Sequence, residues 1–172
     1  MTNINFQSEF QKIFTDLRKE MYEKYDRHVS LQDLFSDRWE TAKFYNFGEG
    51  TSCYNNVLII GDVKVGKNTW IGPNVILDGS GGLEVGDHCS ISAGVQIYSH
   101  DTVQQSLSLG EDSAQKMKTS IGNGVYIGPN SIIEKGVSIG DQSVIGAMSF
   151  VNTNISKGKK FYGIPAKEFK NP

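Results

Sequence analysis

Aliphatic residues recur every six positions along most of the chain beyond residue 57. The positions are Ile59, Val65, Ile71 and Leu77, then, after a slip of two residues, Val85, Ile91 and Ile97, and in a second block Ile121, Ile127, Ile133, Ile139, Ile145 and Val151. This period matches neither the helical repeat of about 3.6 residues nor the two-residue alternation of a β-strand. It predicts a parallel β-helix, in which each hexapeptide forms one short strand and one corner.

Two further positions keep the phase of this repeat. Glycine often follows the aliphatic residue, where we expect the chain to turn through backbone angles that other residues avoid; the residues are Gly66, Gly72, Gly86, Gly122, Gly128, Gly140 and Gly146. Four residues after the aliphatic position comes a small residue that we expect to point into a narrow interior: Thr69, Val75, Cys89, Val95, Val125, Ser131, Val137, Ser143 and Ser149. A stack of β-hairpins would instead show polar two-residue turns and simple alternation.

The rest of the chain departs from the repeat. Residues 3–26 have apolar side chains at helical spacing, and Ser30 with Asp33 resembles the capped start of a shorter helix, so residues 1–50 are predicted to form a helical cap over one end of the β-helix. The β-helix is assigned to residues 51–160 and a tail to residues 161–172. Residues 78–82 add two residues at one corner, and residues 98–120 form an inserted loop whose length favours a functional role.

Composition excludes several classes of function. A net charge of -2 gives no reason to expect nucleic acid or an anionic membrane as a partner. The polar N-terminus is unlike a secretory signal, and no segment has the length and apolarity of a membrane span, so a cytoplasmic location is expected. Cys53 and Cys89 do not make a disulfide framework or a metal site.

Three segments resemble a known family. VGKNTWIGPNVIL, VGDHCSISAGVQI and IGNGVYIGPNSIIEKGVSIGDQSVIGAMSFV are similar to the hexapeptide-repeat acyltransferases, which include galactoside and maltose acetyltransferases and bacterial polysaccharide O-acetyltransferases. The resemblance covers about residues 57–168. It implies an all-β fold with a left-handed coil, an exception to the usual right-handed crossover. It also implies acetyl transfer from acetyl-CoA, and a homotrimer with active sites between the subunits.

His100 is the candidate catalytic residue. It opens the inserted loop, where galactoside-type members of the family carry their catalytic histidine. Histidine is suited to act as a general base near neutral pH, taking the proton of the acceptor as it attacks the thioester. Neither cysteine has a histidine near it in sequence, which favours direct transfer over an acyl-enzyme. Asp101, or an acidic residue elsewhere in the chain, is expected to orient the imidazole.

The resemblance also implies binding residues. Galactoside-type enzymes place an asparagine and an aspartate beside the acceptor; this chain has Gly72 at the asparagine position, with Asn74 and Asp78 nearby, which leaves the sugar unidentified. The candidates for binding the sugar acceptor are Asn74, Asp78, Tyr98 and Asp101. The candidates for binding acetyl-CoA are Tyr126, Gly128, Gly146, Ala147, Asn152, Lys160 and Lys167, with small residues offering backbone N–H groups to the pantetheine arm and lysines near its phosphates.

Other functions are open at this point. The same scaffold carries zinc in γ-type carbonic anhydrases, but the spacing of His28, His88 and His100 does not fit a three-histidine site, so no metal is expected. A non-catalytic β-helix scaffold is a second alternative. Within the transferases, a histidine base is most needed for a hydroxyl, which favours O-acetylation of a sugar in polysaccharide or nucleotide-sugar metabolism. N-acetylation of a nucleotide-linked amino sugar is the alternative.

Overall fold

The computed structural model describes residues 3–169 of the chain. Three helices come first, at Asn3–Tyr25 (α1), Leu31–Phe35 (α2) and Arg38–Phe44 (α3), and a fourth, Val103–Leu107 (α4), lies in the inserted loop. The remaining backbone winds into a prism in which every coil contributes short strands to three parallel faces. No helix within the described residues is long and apolar enough to cross a membrane.

The first face is a seven-stranded sheet. Its strands, in spatial order, are β1 (Ser52–Cys53), β3 (Trp70–Ile71), β5 (Ser90–Ile91), β10 (Tyr126–Ile127), β13 (Val144–Ile145), β15 (Lys160–Tyr162) and β16 (Lys167–Glu168). All neighbours are parallel except β15 and β16, which form an antiparallel pair at the end of the stack.

The second and third faces share two long strands that bend around the corner between them, β2 (Leu58–Val65) and β4 (Ile76–Val85). The second face continues with β6 (Gln96–Ile97), β11 (Ile132–Ile133) and β14 (Phe150–Val151), and the third with β9 (Thr119–Ile121) and β12 (Ser138–Ile139). The two extra residues predicted at a corner lie here, where the register of β2 and β4 shifts between Gly61 and Val63. Parallel pairing excludes the hairpin stack, and the fold is the predicted left-handed parallel β-helix.

The repeat builds the core as predicted. Every aliphatic position of the period is buried except Ile59, which is half-buried, and all of the small positions that follow are buried. Equivalent residues stack across coils, so that Ile91 pairs with Ile127 and Ile127 with Ile145. Each such side chain contributes about 1.5–3 kcal/mol by leaving water. The stacking also runs past both predicted limits: Phe47 lies in the core before the first coil and Phe161 packs against its far end.

The glycines after the aliphatic positions have a different role from the one predicted. None of them has positive φ; the left-handed residues come two positions later, for example Asn68, Asn130 and Gly124. A Cβ on Gly140 would lie 2.4 Å from the backbone nitrogen of Lys157 in the next coil. The expectation that these glycines supply the turn is therefore wrong: glycine is required there because a Cβ would overlap the next coil, namely the Tyr162 ring at Gly146 and backbone atoms at the other positions.

The helical region divides into two parts. Helix α1 is the predicted amphipathic helix, but it packs against α2 and leaves Phe6, Phe10 and Ile13 exposed. Helix α3 packs on β1, and Ala42 at its end is buried in the core. The predicted cap at Ser30 is wrong in detail, because its hydroxyl donates to the carboxylate of Asp33 rather than accepting from a backbone N–H.

A capping box is present one helix later. The side chain of Asp37 accepts from two backbone N–H groups of α3, and the side chain of Glu40 accepts from the backbone N–H of Asp37. Of the predicted end regions, residues 1–2 of the cap and residues 170–172 of the tail lie outside the described residues.

Candidate active site

A buried carboxylate lies against the candidate base. His100 starts β7 (His100–Asp101), which pairs antiparallel with β8 (Gln115–Lys116) in the inserted loop. Its Nδ1 atom lies 2.5 Å from Oδ2 of Asp78, whose side chain is fully buried in β4. Leu77 and Ile97 are partners on adjacent coils, which places Asp78 beside Tyr98. The backbone N–H groups of Ser99 and His100 then donate to the Asp78 carboxylate and bring the imidazole against it.

Asp78 is held as an anion by several hydrogen bonds. Its Oδ2 atom accepts from the backbone N–H groups of Ser99 and His100, and its Oδ1 atom accepts from the backbone and hydroxyl of Ser80. Burial alone would raise the pKa of the Asp78 carboxyl, but the bonds from Ser80, Ser99 and His100 outweigh it and hold that pKa well below its ordinary value. An ionised carboxylate only accepts, so we assign the imidazole proton to Nδ1, which leaves Nε2 of His100 able to accept a proton.

The glycine-rich insertion shapes the backbone around this pair. The N–H of Gly81 donates to the hydroxyl of Ser99 at 2.8 Å, and a Cβ on Gly81 would lie 2.4 Å from the carbonyl oxygen of Ser99. Glycine at this position therefore lets β4 pass close behind the residue that precedes His100. The insertion and the loop together fix the position of the base.

His100 borders an open cavity of about 440 Å³ between the inserted loop and the second face. The lining combines apolar side chains of the second face with polar groups of the loop and of the following corner. The lining residues are Tyr98, His100, Asp101, Thr102, Val103, Ile132, Glu134, Lys135 and Phe150. The cavity therefore offers a base, charged groups and an apolar surface within one space.

Two predicted roles are corrected by this geometry. Asp101 does not orient the imidazole; its carboxylate forms an ion pair with Lys135 and accepts from the N–H of Val103. The hydrogen bond from Lys135 holds the pKa of Asp101 below its ordinary value. Asp78, predicted to bind the acceptor, is buried behind His100 instead, so it acts on that side chain rather than facing the cavity.

The remaining acceptor candidates separate in space. Tyr98 lines the cavity, with its hydroxyl donating to Gln96 at 2.7 Å. Asn74 does not line it: this residue has a φ of 58° at the corner between the first and second faces and bonds to Asn56. The left-handed turn accounts for an asparagine at this position, because Asn tolerates that conformation better than most residues do.

None of the predicted acetyl-CoA residues lines the His100 cavity of the same chain. Tyr126 and Lys160 share a column on the outside of the first face, and Lys167 of β16 pairs with Tyr162 of β15. Ala147 is exposed, and Asn152 is exposed at the corner after β14. The N–H groups of Gly128 and Gly146 already donate to Ile145 and Phe161 in neighbouring coils. The expectation that these two N–H groups are free for the pantetheine arm is therefore wrong.

The other candidate groups of the chain are accounted for structurally. Burial and then Asp33 raise the pKa of Cys53 to about 12, and burial raises that of Cys89, so both thiols stay protonated at neutral pH and neither is a ready nucleophile. His28 stacks on Tyr22, and His88 occupies a left-handed corner. Within residues 3–169 no group of three His, Cys, Asp or Glu side chains is arranged to hold a metal ion.

Several residues of the site were not found from the sequence. Ser80 and Ser99 hold Asp78, and Lys135 joins the second block of repeats to the inserted loop. The same loop is anchored at its other end, where Thr119 donates to the carbonyl of Tyr98 and accepts from the N–H of Gly136. The one available signal was that both breaks in the period, at residues 78–82 and 98–120, meet in space at this site.

Two models of repeat families match the chain. One, described as bacterial transferase hexapeptide (six repeats), matches residues 118–153, and the other, described as the hexapeptide repeat of succinyl-transferase, matches residues 62–99. The chain is a hexapeptide-repeat protein. No curated protein matches this hexapeptide-repeat protein significantly in sequence.

Solved structures share the fold of this hexapeptide-repeat protein. A variant of the N-acyltransferase AntD from Bacillus cereus, in complex with dTDP and coenzyme A, is 24% identical over 72% of this chain and 71% of its own, with a TM-score of 0.66. The acetyltransferase domain of PglB from Neisseria gonorrhoeae is 16% identical over 72% of this chain and 50% of its own, with a TM-score of 0.58. A hexapeptide-repeat acetyltransferase from Vibrio cholerae is 20% identical over 94% of this chain and 92% of its own, with a TM-score of 0.60.

Proposed function

We propose that this protein transfers the acyl group of an acyl-CoA thioester, acetyl-CoA in the first instance, directly to a sugar acceptor, with His100 as general base. The observation that carries the proposal is the bond between His100 Nδ1 and the buried Asp78 carboxylate, beside an open cavity. A carboxylate that fixes the tautomer and orientation of an imidazole makes its second nitrogen a competent base. Burying an ionised carboxylate costs free energy, and a role in catalysis accounts for placing that charge against a histidine beside a cavity.

The proposed reaction needs no covalent enzyme intermediate. The acceptor oxygen or nitrogen forms a bond to the thioester carbonyl carbon while Nε2 of His100 takes its proton. The tetrahedral intermediate then collapses, the carbon–sulfur bond breaks, and the departing thiolate of coenzyme A takes the proton back from the imidazolium of His100. Asp78 stabilises that imidazolium while it exists, and the high thiol pKa values of the cysteines favour direct transfer over an acyl-cysteine.

The acceptor group is proposed to be a sugar hydroxyl, in polysaccharide or nucleotide-sugar metabolism in the cytoplasm. A hydroxyl requires a base more than an amine does, and His100 with Asp78 is built as a base. An amine on a nucleotide-linked sugar is the second candidate, favoured by the structural similarity to AntD, an N-acyltransferase solved with dTDP. The same protein was also solved with 3-hydroxybutyryl-CoA, so the acyl group is best tested with more than one thioester.

A homotrimer with active sites between subunits is part of the proposal. The His100 cavity is open, and the residues predicted to hold acetyl-CoA lie outside it in the same chain. The outer surface of the second face beside it carries Leu58 and Ile132, both exposed, whereas that of the third face carries Lys64, Glu84 and Ser138. Leu107 and Leu109 at the tip of the inserted loop are also exposed. Apolar surface beside an incomplete site favours a second copy of the chain there.

The decisive experiment is a thermal-shift titration with acetyl-CoA and 3-hydroxybutyryl-CoA, followed by thiol-release assays on hydroxy and amino sugars. Ligand at about 100 times its dissociation constant stabilises a protein by about 2.7 kcal/mol, which raises the melting temperature. His100→Ala is expected to keep that shift while lowering turnover by roughly 100- to 10,000-fold. No shift at millimolar thioester would favour the scaffold function, and near-normal turnover in His100→Ala would exclude the mechanism.

A further inference from the structure

The corner between the second and third faces brings one side chain from each coil into a single column. The register of β4, β6, β11 and β14 pairs Leu77 with Ile97, Ile97 with Ile133, and Ile133 with Val151. The residues that follow are therefore neighbours in turn along the axis: Asp78, Tyr98, Glu134 and Asn152. In this column Glu134 lies one coil beyond Tyr98 and two coils beyond Asp78, the carboxylate that holds His100. Adjacent strands in a sheet are about 4.8 Å apart.

Glu134 differs from the other carboxylates of this site. The carboxylate of Asp78 already accepts hydrogen bonds from Ser80, Ser99 and His100, and that of Asp101 accepts them from Lys135 and Val103. Within residues 3–169 no hydrogen bond or ion pair engages the Glu134 carboxylate, although it is half-buried in the wall of the His100 cavity. A partly desolvated carboxylate with unused acceptor capacity, in the same space as the base, is suited to bind a ligand.

The apolar part of the cavity lining suits one side of a sugar ring. Ile132 is one-third exposed, Phe150 is half-buried, and both present apolar surface from the second face to the cavity. A pyranose has a C–H face that packs on such a surface, while its hydroxyl groups donate to a carboxylate at its edge. The pairing of an aromatic surface with an unused carboxylate therefore fits a polyol ring rather than an apolar acceptor.

The charge of the site adds a restriction. Asp78, Asp101 and Glu134 contribute three negative charges and Lys135 one positive charge, so the site has a net charge of -2 when His100 is neutral. A field of this sign, focused in a cavity, repels a carboxylate on the reacting ring and tolerates a neutral or amino-substituted ring.

We infer that Glu134 is the residue that orients the acceptor, accepting hydrogen bonds from hydroxyl groups of the sugar ring, and that it disfavours rings that carry a carboxylate. This inference rests on the proposed acyl transfer and adds the substrate class of its acceptor subsite: a neutral or amino hexose ring. Glu134 does not move a proton in the reaction; His100 does.

The test compares wild-type protein with Glu134→Gln and with Glu49→Gln, a matched change at an exposed glutamate outside the cavity. Two readouts are needed: direct binding of methyl hexosides, hexosaminides and hexuronides by ligand-observed NMR, and acyl-transfer kinetics with the ring that binds best. Glu134→Gln is expected to weaken hexoside binding and raise the acceptor KM by about 10-fold or more, the loss for a hydrogen bond to a charged group. In the same variant the ratio of hexoside affinity to hexuronide affinity is also expected to fall toward one.

In the same variant kcat and the thermal shift with acetyl-CoA are expected to stay within a few-fold of wild type, and Glu49→Gln is expected to match wild type throughout. Equal binding and equal ring preference in Glu134→Gln and wild type would overturn the role of Glu134 while leaving acyl transfer intact. A third outcome is that wild-type protein binds hexosides, Glu134→Gln does not, and neither consumes thioester. That result would keep the sugar subsite and overturn the proposed reaction.

Discussion

Oδ2 of Asp78 lies 2.5 Å from Nδ1 of His100 and also accepts from the backbone N–H of that same residue. One buried atom thus fixes both the main chain and the ring of the proposed base. Removing the charge at Asp78 therefore disturbs the orientation of His100 and the stability of the imidazolium together.

Asp78→Asn is expected to lower kcat by at least about 10-fold, because the neutral amide cannot stabilise the imidazolium. Its NH2 group would also face N–H and O–H donors that now bind a carboxylate oxygen. The acceptor KM and the thermal shift with acetyl-CoA are expected to change little. Ser80→Ala, which removes a single bond to Asp78, is the milder control. A kcat for Asp78→Asn equal to wild type, in a folded protein, would show that the pair is structural only.

The same carboxylate predicts a pH dependence of stability. Its pKa in the folded protein is lower than in the unfolded chain, so its stabilising contribution is complete above the ordinary aspartate pKa of about 3.9. The contribution then falls as the pH drops from there toward the folded-state pKa. Urea unfolding between about pH 3 and pH 6 is expected to show a smaller acid-side loss of stability in Asp78→Asn than in wild type. Parallel curves for the two proteins would contradict the depressed pKa.

If close approach between coils, rather than the turn, is what requires glycine, then substitution should cost little stability at one glycine and much more at another. Gly140 has no positive φ but touches the backbone of Lys157, whereas Gly158 has a φ of 75° and open space around its Cα. Asparagine tolerates the left-handed region, so Gly158→Asn is expected to cost under about 1 kcal/mol. Gly140→Asn is expected to cost about 1–3 kcal/mol or more through overpacking. Denaturant unfolding of both variants checks this order, and similar losses at the two sites would refute it.

Lys135 is predicted to hold the inserted loop against the coils. Its side chain is 12% exposed and its partner Asp101 lies next to His100. Lys135→Met is expected to speed cleavage of the loop by chymotrypsin after the exposed Leu107 or Leu109, because the start of the loop loses its ion pair. Lys118→Met removes the exposed pair with Glu84 and serves as the matched control. Equal cleavage rates in the two variants would show that the ion pair does not anchor the loop, which the β7–β8 pairing and the Thr119 contacts would then hold.

The stacking of the core was predictable from the sequence because the aliphatic positions keep a period of six within each block. Stacked positions such as Ile127 and Ile145 differ only in sequence number, so the period alone states which residues touch. The role of glycine was not predictable, since a left-handed turn and a close backbone contact select the same residue. Only the backbone angles, positive at Asn130 and not at Gly128, separate the two causes.

The site was predictable in part. His100 was predicted as the base from its place at the start of the inserted loop and from the family resemblance, and the structure adds its partner Asp78, which the sequence had assigned to the acceptor. The register that joins Leu77 to Ile97 crosses an insertion of two residues, and counting coils through it would have placed Asp78 beside the loop. The pairing of Asp101 with Lys135 had no sequence signal, because the two residues are 34 positions apart in chain order and belong to different coils.

The column of corner residues has an evolutionary consequence. Coils without insertions take 18 residues, as the pairing of Ile127 with Ile145 shows, so loss of residues 127–144 would leave every remaining aliphatic position stacked. Such a deletion would bring Asn152 to the place next to Tyr98 that Glu134 now holds. A genetic event that preserves folding would thus replace a carboxylate by an amide beside the base. Deletion of a whole coil in this architecture exchanges the acceptor-facing group in a single step, without any point mutation.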